Sequence, residues 1–182
     1  MASKPRPQLT HVGVFARDIE NMTAFYTDVF GLTVTDQGDL PGDRKIVFLS
    51  NDPGEHHQFV LVSGRPDGDT MIAAQQLSFL VDTLDDVRTL HDKVTAAGME
   101  ITQQTCHGNA LSVYFKDPDG NRVEIYTHTP WHIPQPHAVP FDLAKSNEEI
   151  LAWTEVHCRE DAGFMTAEQR AQQMVERMDD AR

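Results

Sequence analysis

The sequence predicts an α+β fold in which two tandem βαβββ modules form one half-open eight-stranded barrel, followed by a Pro-rich segment and a helical tail. Three observations predict this fold: an internal repeat, short apolar runs that alternate with helical periodicities, and a change of composition after the second repeat. We therefore expect a paired-module domain at 1–128, with modules at about 8–65 and 73–128, and a C-terminal extension at 129–182.

The repeat has a constant offset. The apolar run that opens at His11 matches the run that opens at Gln76, and 76 − 11 = 65. The Asp-Pro pair at 52–53 returns 65 residues later at 117–118. In each copy a predicted helix lies between the opening strand and the Asp-Pro pair, and its apolar positions recur at the same offset: Ile19, Met22, Phe25 and Val29 match Leu84, Val87, Leu90 and Val94. One offset shared by a strand, a helix and a turn indicates two copies of one supersecondary unit.

Each copy is predicted to contain a strand, a helix and three further strands. The apolar runs at 9–15 and 76–81 have the length of strands, and apolar residues at helical spacing follow each run. The two helices are predicted to end at Gly31 and Gly98. The other strands are predicted at 32–37, 44–50, 57–63, 99–105, 110–116 and 121–127. The Asp-Pro-Asp-Gly run at 117–120 predicts a hairpin turn between the last two strands.

The pattern changes after Tyr126. Prolines crowd residues 130–140, which predicts an extended segment that lies over the surface. Two residue pairs beyond it fit the capping box that begins a helix: Ser146 with Glu149, and Thr166 with Gln169. Apolar Ile150, Leu151 and Trp153 indicate that this tail packs against its own domain or a second subunit. The apolar tail helices favour a homodimer.

The composition argues against several classes of function. The chain has 15 Lys and Arg against 28 Asp and Glu, so its net charge of −13 offers no basic field to nucleic acid or to an anionic membrane. No run of about 18 apolar residues predicts a membrane span. The polar start at 1–7 argues against a secretory signal. Two cysteines, Cys106 and Cys158, lack metal-type spacing, so we expect a cytoplasmic protein.

The repeat also predicts a site. Side chains alternate along a strand, so His11 and Gln76 take equivalent positions on the concave face of two equivalent strands. Glu124 lies at the start of the last strand. A histidine, an amide oxygen and a carboxylate on one concave face fit a divalent-metal site. The structural alternative is a hydrogen-bonded strand histidine, with Glu124 paired to Arg122 or Lys116 at the surface.

Other candidate groups favour a structural interpretation. His128, His132 and His137 follow the last strand, where solvated or backbone-bonded histidines are expected. Cys106 and His107 are neighbours, and a thiol nucleophile is conceivable there. We reject that nucleophile because adjacent strand residues point to opposite faces and no third residue orients the pair.

With these features the chain resembles the vicinal oxygen chelate superfamily, which includes glyoxalase I, fosfomycin-resistance proteins and type I extradiol ring-cleavage dioxygenases. The resemblance covers residues 8–128. It rests on the repeated βαβββ unit, on the opening His-Val-Gly-Val at 11–14, and on the closing Tyr-Phe-Lys-Asp-Pro-Asp-Gly-Asn-Arg-Val-Glu at 114–124.

Within the superfamily, the chain is most similar to small one-domain extradiol dioxygenases. Tyr114 stands ten residues before Glu124 (124 − 114 = 10), as in the metal-binding region of that group. A His-Gly pair at 107–108 precedes this tyrosine, and His57 opens the strand before the second module. The Pro-rich tail around Trp131 is similar to that of the same group.

The resemblance implies an activity and a role for each of these residues. A divalent metal, Fe(II) first and Mn(II), Zn(II) or Ni(II) as alternatives, would bind a catechol-like aromatic and O2. The implied metal ligands are His11, Gln76 and Glu124. The implied catalytic residues are His57 as acid and base, Tyr114 as a hydrogen-bond donor to the substrate oxygen, and His107 as a group that positions the ring.

The chain departs from the extradiol pattern at one position. The second metal ligand of that group is histidine, whereas Gln76 occupies the matching position here. Glyoxalase-type members use a glutamine ligand, so a metal-dependent lyase or isomerase stays open as an alternative. A non-enzymatic small-molecule binding protein is a further alternative, and His56 or His57 is an additional candidate ligand.

Overall fold

The structure is a computed structural model that describes residues 8–68 and 75–180. The first module contains β1 (Val12–Ala16), α1 (Ile19–Phe30), β2 (Thr33–Leu40), β3 (Arg44–Ser50) and β4 (Phe59–Ser63). The second contains β5 (Leu77–Leu80), α2 (Leu84–Ala96), β6 (Ile101–Cys106), β7 (Ala110–Lys116) and β8 (Arg122–His128). The tail contains β9 (Trp131–His132), β10 (Val139–Pro140), α3 (Asn147–Arg159), β11 (Met165–Thr166) and α4 (Ala167–Asp180). The predicted α+β class and the repeated βαβββ order are confirmed.

The strands of the two modules form two sheets with equivalent orders. The first sheet has the order β1-β4-β3-β2, and the second has the order β10-β6-β7-β8-β5. In each module the first strand pairs in parallel with the last, so that Val12 lies opposite Phe59 and Leu77 lies opposite Val123. The modules are thus built alike but do not share one hydrogen-bonded ladder among the described strands. The half-open barrel that both would form together stays a prediction.

Local signals in the sequence explain where the module helices begin and end. Asp18 caps α1 by accepting a hydrogen bond from the backbone N–H of Asn21, and Thr83 forms a capping box with Asp86 at the start of α2. Gly31 ends α1 in the left-handed region at φ 69°, where glycine has no steric penalty. Within the part of the chain that the structure describes, none of the helices combines the length and apolar character that crossing a bilayer requires.

An aromatic cluster joins the two modules. Its rings come from α1 and from strands of both sheets: Phe25, Tyr26, Phe30, Phe59, Phe79 and Phe115. Phe30 of the first module lies 4.4 Å from Phe79 of the second, between ring centroids. Helix α1 therefore buries one face against strands of both modules, which share this part of the core.

The turn between β7 and β8 adds polar links between the modules. The backbone N–H of Gly120 donates to the carbonyl of Asp117 at 2.8 Å, which confirms the predicted hairpin turn. The Tyr26 hydroxyl donates to the Asp117 carboxylate at 3.0 Å, and the backbone N–H of Arg17 donates to Asp119 at 2.7 Å. Burial raises the pKa of Asp117 from its ordinary value. These bonds hold the hairpin of the second module against the first.

The tail packs on the second module. Strand β10 adds to the edge of β6, with Val139 opposite Cys106. Leu143 and Ile150 are buried in the main core, so the tail packs against its own domain. Both predicted capping boxes form, at the starts of α3 and α4. The predicted division of the chain near residue 128 stays a prediction.

Candidate functional site

Gln76 and Glu124, two of the predicted metal ligands, are in direct contact. Ser78 lies opposite Glu124 in the β5–β8 pair, and Gln76 stands two residues earlier on the same face. The Gln76 side-chain amide donates to Glu124 Oε2 at 2.6 Å, and the Ser78 hydroxyl donates to the same oxygen at 2.6 Å. The parallel pairing of β5 with β8 therefore brings Gln76, which immediately precedes β5, beside the Glu124 carboxylate on β8.

Tyr114 and His107 extend this group along the second sheet. Tyr114 lies directly opposite Glu124 in the β7–β8 pair, and its hydroxyl donates to Glu124 Oε1 at 2.5 Å. His107 Nε2 lies 2.9 Å from the same hydroxyl. Burial, together with the Glu124 hydrogen bond, raises the pKa of Tyr114 to about 12. The hydroxyl consequently keeps its proton at neutral pH and acts as a donor.

Among the described residues, the Glu124 carboxylate has no cationic partner. The residue is only 7% exposed, and the partners of its two oxygens are a neutral amide and two neutral hydroxyls. Within residues 8–68 and 75–180, no lysine, arginine or histidine forms an ion pair with it. A buried carboxylate is costly without a compensating positive charge. This environment suits a bound cation.

The chemistry of the neighbouring donors limits how a metal could be held. The described residues contain no group of three or more His, Cys, Asp or Glu side chains arranged to hold a metal. Among the neighbours of Glu124, Gln76 offers the amide oxygen of the predicted ligand set. Its amide nitrogen is the atom that faces Glu124, which leaves Oε1 as the available donor atom. Amide and carboxylate oxygens with one imidazole form a donor set that divalent metals accept.

The third predicted ligand, His11, lies in the first module beside other histidines. Its ring centroid is 4.4 Å from that of His57, and Nδ1 of His57 is 2.9 Å from Nδ1 of His56. His56 also lies 3.9 Å from an Asp36 oxygen. Burial first, and then the neighbouring His11 and His56, lower the pKa of His57. His57 is therefore mainly neutral at neutral pH.

The structure thus distributes the predicted residues between two clusters. The carboxylate cluster of the second module consists of Gln76, Ser78, His107, Tyr114 and Glu124. The histidine cluster of the first module consists of His11, His56 and His57. In the described part of the chain, the contacts of His11 are with Thr10 and His57 rather than with the carboxylate cluster. Its role as a metal ligand stays a prediction.

A groove of about 430 Å³ separates the edges of the two sheets. Its walls include Leu9, Val12, Phe59, Gln76, Ser78 and Leu80. The volume falls within the range of small-molecule sites, which combine apolar walls with a few polar groups. A second groove, of about 370 Å³, lies in the tail against Trp153 and contains none of the residues of either cluster. The first groove is the candidate ligand site because Gln76 and Ser78 of the carboxylate cluster line it.

Ser78 belongs to the carboxylate cluster, although the sequence motifs assign it no role in the predicted site. Its position two residues after Gln76 on one strand was the available signal, because residues at that spacing share a face. The rejected nucleophile, Cys106, is fully buried, and burial raises the pKa of its thiol, which makes it unreactive. His137, predicted to be backbone-bonded or solvated, has its Nε2 3.1 Å from that of His157.

Two βαβββ modules, with the buried Glu124 carboxylate beside the groove between their sheets, define a class of proteins built from paired modules. Residues 8–125 match the family model of the Glyoxalase/Bleomycin resistance protein/Dioxygenase superfamily. This chain belongs to that superfamily, which confirms the family predicted from its sequence motifs.

Similar proteins include two ring-cleavage enzymes of Rhodococcus globerulus. Biphenyl-2,3-diol 1,2-dioxygenase 3 is 30% identical over 125 residues, which cover 65% of this chain but only 62% of that relative. Biphenyl-2,3-diol 1,2-dioxygenase 2 is 25% identical over 167 residues, which cover 82% of this chain and 85% of that relative.

Solved structures share the fold at lower identity. A glyoxylase/bleomycin resistance protein/dioxygenase domain from Frankia sp. superposes with a TM-score of 0.58 at 20% identity, over 69% of this chain and 100% of that one. The fosfomycin resistance protein FosX from Listeria monocytogenes, determined with Mn(II) and sulfate, gives a TM-score of 0.53 at 18% identity, over 71% of this chain and 95% of that one. Both similarities establish the fold alone.

Proposed function

We propose that this protein is a metal-dependent extradiol-type dioxygenase that opens the ring of a catechol-like aromatic with O2. The observation that carries the proposal is the buried Glu124 carboxylate, whose partners are all neutral donors. Tyr114 and His107, the residues expected of this group, lie on the same hydrogen-bonded path. The two Rhodococcus relatives, whose names specify biphenyl-2,3-diol dioxygenases, support the same reaction class.

The metal would be held by His11, Gln76 and Glu124. His11 immediately precedes β1 and Gln76 immediately precedes β5, so the two occupy equivalent places in the two modules. One nitrogen and two oxygen donors fit Fe(II), with Mn(II), Zn(II) and Ni(II) as alternatives. When bound, Fe(II) would supply the redox chemistry that a reaction with O2 requires.

Three side chains of this protein would act on the substrate. The Tyr114 hydroxyl, which is protonated at neutral pH, can donate a hydrogen bond to a catechol oxygen. His107 contacts that hydroxyl and holds its direction. His57 is the acid and base of the proposal, because a neutral imidazole can accept the proton of a catechol hydroxyl. The groove between the sheets would hold the aromatic ring against apolar walls.

The proposal is tested by oxygen uptake. Protein purified without O2 and loaded with Fe(II) is mixed with a series of substituted catechols, and O2 consumption is recorded together with visible absorbance. We expect uptake of one O2 for each catechol and the yellow colour of a ring-opened product. The same protein treated with a chelator is the control and should consume none. If the protein binds Fe(II) stoichiometrically but consumes no O2 with any of the catechols tested, the proposal is contradicted.

The second candidate is a glyoxalase-type lyase or isomerase. The observation that favours it is the glutamine at position 76 in contact with Glu124, since glyoxalase-type members use such a ligand. Metal-dependent conversion of a hemithioacetal without O2 consumption would support this activity. A non-enzymatic binding protein would instead take up no metal, and aromatic ligands alone would raise its melting temperature.

Replacing Gln76 with histidine should strengthen Fe(II) binding if Gln76 faces the metal. Imidazole is a better ligand for Fe(II) than a neutral amide, so we expect the Kd to fall about tenfold, or roughly 1.4 kcal/mol. Anaerobic titration calorimetry measures the change. Gln37→His, which places a histidine on exposed strand β2, is the matched control and should leave the Kd unchanged. An unchanged Kd for Gln76→His would remove Gln76 from the metal shell.

A further inference from the structure

The tail reaches the carboxylate cluster through His107. This residue follows β6, and its ring makes two hydrogen-bond contacts on opposite sides. Nε2 lies 2.9 Å from the Tyr114 hydroxyl. Nδ1 lies 2.7 Å from the backbone carbonyl oxygen of His137, which belongs to the Pro-rich segment. One imidazole thus connects the tail to Tyr114 and, through Tyr114, to Glu124.

The carbonyl of His137 determines where His107 carries its hydrogen. A carbonyl oxygen can only accept a hydrogen bond, so Nδ1 of His107 must be the donor. In a neutral imidazole the other nitrogen then carries the lone pair. The lone pair at Nε2 consequently faces the Tyr114 hydroxyl, and it competes with Glu124 Oε1 for the single hydrogen of that hydroxyl. Without the carbonyl, a Tyr114 hydroxyl that donates to Glu124 would instead favour the tautomer with the hydrogen on Nε2, because its oxygen can then only accept.

Gln135 holds the two ends of this contact together. Its side-chain Nε2 donates to the backbone carbonyl of His107 at 2.7 Å. Its Oε1 accepts from the backbone N–H of His137 at 3.0 Å. A single amide therefore bridges the backbone of His107 and the backbone of His137. On the outer side, the His137 ring contacts His157 of α3, which stacks on Trp153.

We propose that Gln135 and the backbone carbonyl of His137 position His107, fixing Nδ1 as the protonated nitrogen and presenting Nε2 to Tyr114. Residues 135–137 of the tail then belong to the site, because they hold His107 in place. They lie beyond residue 125, where the superfamily match ends, so this support belongs to the extension rather than to the paired modules. The tautomer does not depend on the reaction, whereas its effect on turnover rests on the proposed function.

The tautomer is measured directly by long-range ¹H–¹⁵N spectra of the imidazole rings, with His107 assigned by the signals lost in His107→Gln. We expect the wild-type ring to carry its hydrogen on Nδ1 and Gln135→Leu to show a mixture of both tautomers. Gln104→Leu is the matched control. Its side chain accepts from the backbone N–H of Leu143 at 2.9 Å, so it also ties the tail to the sheet without touching His107.

Three outcomes decide the proposal. An unchanged His107 tautomer in Gln135→Leu would overturn it, and an equal change in Gln104→Leu would assign the effect to general loosening of the tail. If Gln135→Leu fails to fold, Gln135→Glu replaces it. That variant keeps the acceptor for the N–H of His137 and loses the donor to His107, so a tautomer mixture is again expected, and its absence would equally overturn the proposal.

Turnover gives a second readout in the Fe(II)-loaded protein. We expect Gln135→Leu to lower kcat by about 10–100-fold, as loss of an outer-shell partner does, with KM changed less than about twofold. Gln104→Leu should retain both constants. If no catechol is turned over by the wild-type protein, the proposed function fails while the spectra still decide the position of His107. A rise in KM alone would contradict a positioning role.

Discussion

Replacing Glu124 with glutamine is expected to abolish divalent-metal binding while the fold stays intact. Glu124 supplies the only formal negative charge among the three proposed ligands, and the amide has nearly the same shape. The Tyr114 hydroxyl keeps an oxygen acceptor in the variant, so the loss should fall on the cation rather than on the sheet. We expect the Kd to rise by more than the roughly 10–100-fold that loss of an outer-shell partner costs.

The measurement is anaerobic calorimetric titration with Fe(II), repeated with Mn(II), and circular dichroism reports the fold. Glu100→Gln controls for the change in net charge, because Glu100 is exposed in the same module. Ser78→Ala controls for loss of a neutral neighbour of the same carboxylate oxygen. Both controls should retain binding within a few-fold. Full metal occupancy in Glu124→Gln would show that the metal binds at a site that does not include Glu124.

The sequence predicted the element order because the signals for it are local. Apolar spacing, capping boxes and the turn at 117–120 each depend on residues close in the chain. The turn also sets the register of β7 and β8, which places Tyr114 opposite Glu124. The contact between Gln76 and Glu124 follows from the parallel pairing of β5 with β8. The repeat predicted only that His11 and Gln76 take equivalent positions, and their proximity stays a prediction.

The remaining contacts depend on how distant segments pack. Gln135 bonds to the backbone of His107, 28 residues away, and no periodicity in the Pro-rich segment indicates this partner. The pairing of His11 with His57 follows from the parallel β1–β4 register, which the strand pattern alone does not fix. The relation between the two sheets is set by packing of the aromatic cluster. The homodimer stays a prediction for the same reason, since it requires a second chain.

Truncating Phe115 to alanine should cause the largest loss of stability. Phe115 is completely buried on β7, and its ring centroid lies 6.1 Å from Phe25 and 6.3 Å from Phe30 of α1. The ring therefore fills the space between the helix of the first module and the sheet of the second. Removing it should lower the free energy of unfolding by about 3–5 kcal/mol, because lost burial and an unfilled cavity both contribute.

Urea unfolding followed by circular dichroism measures this loss. A loss of this size is a large part of the roughly 5–15 kcal/mol that stabilises a typical domain, so the midpoint should shift strongly. Phe15→Ala is the matched control, since Phe15 is 49% exposed on edge strand β1 and should cost about 0.5 kcal/mol. Similar losses in both variants would mean that the aromatic cluster does not join the modules. A loss confined to Phe115→Ala would show that the rings of α1 hold together the two sheets that flank the groove.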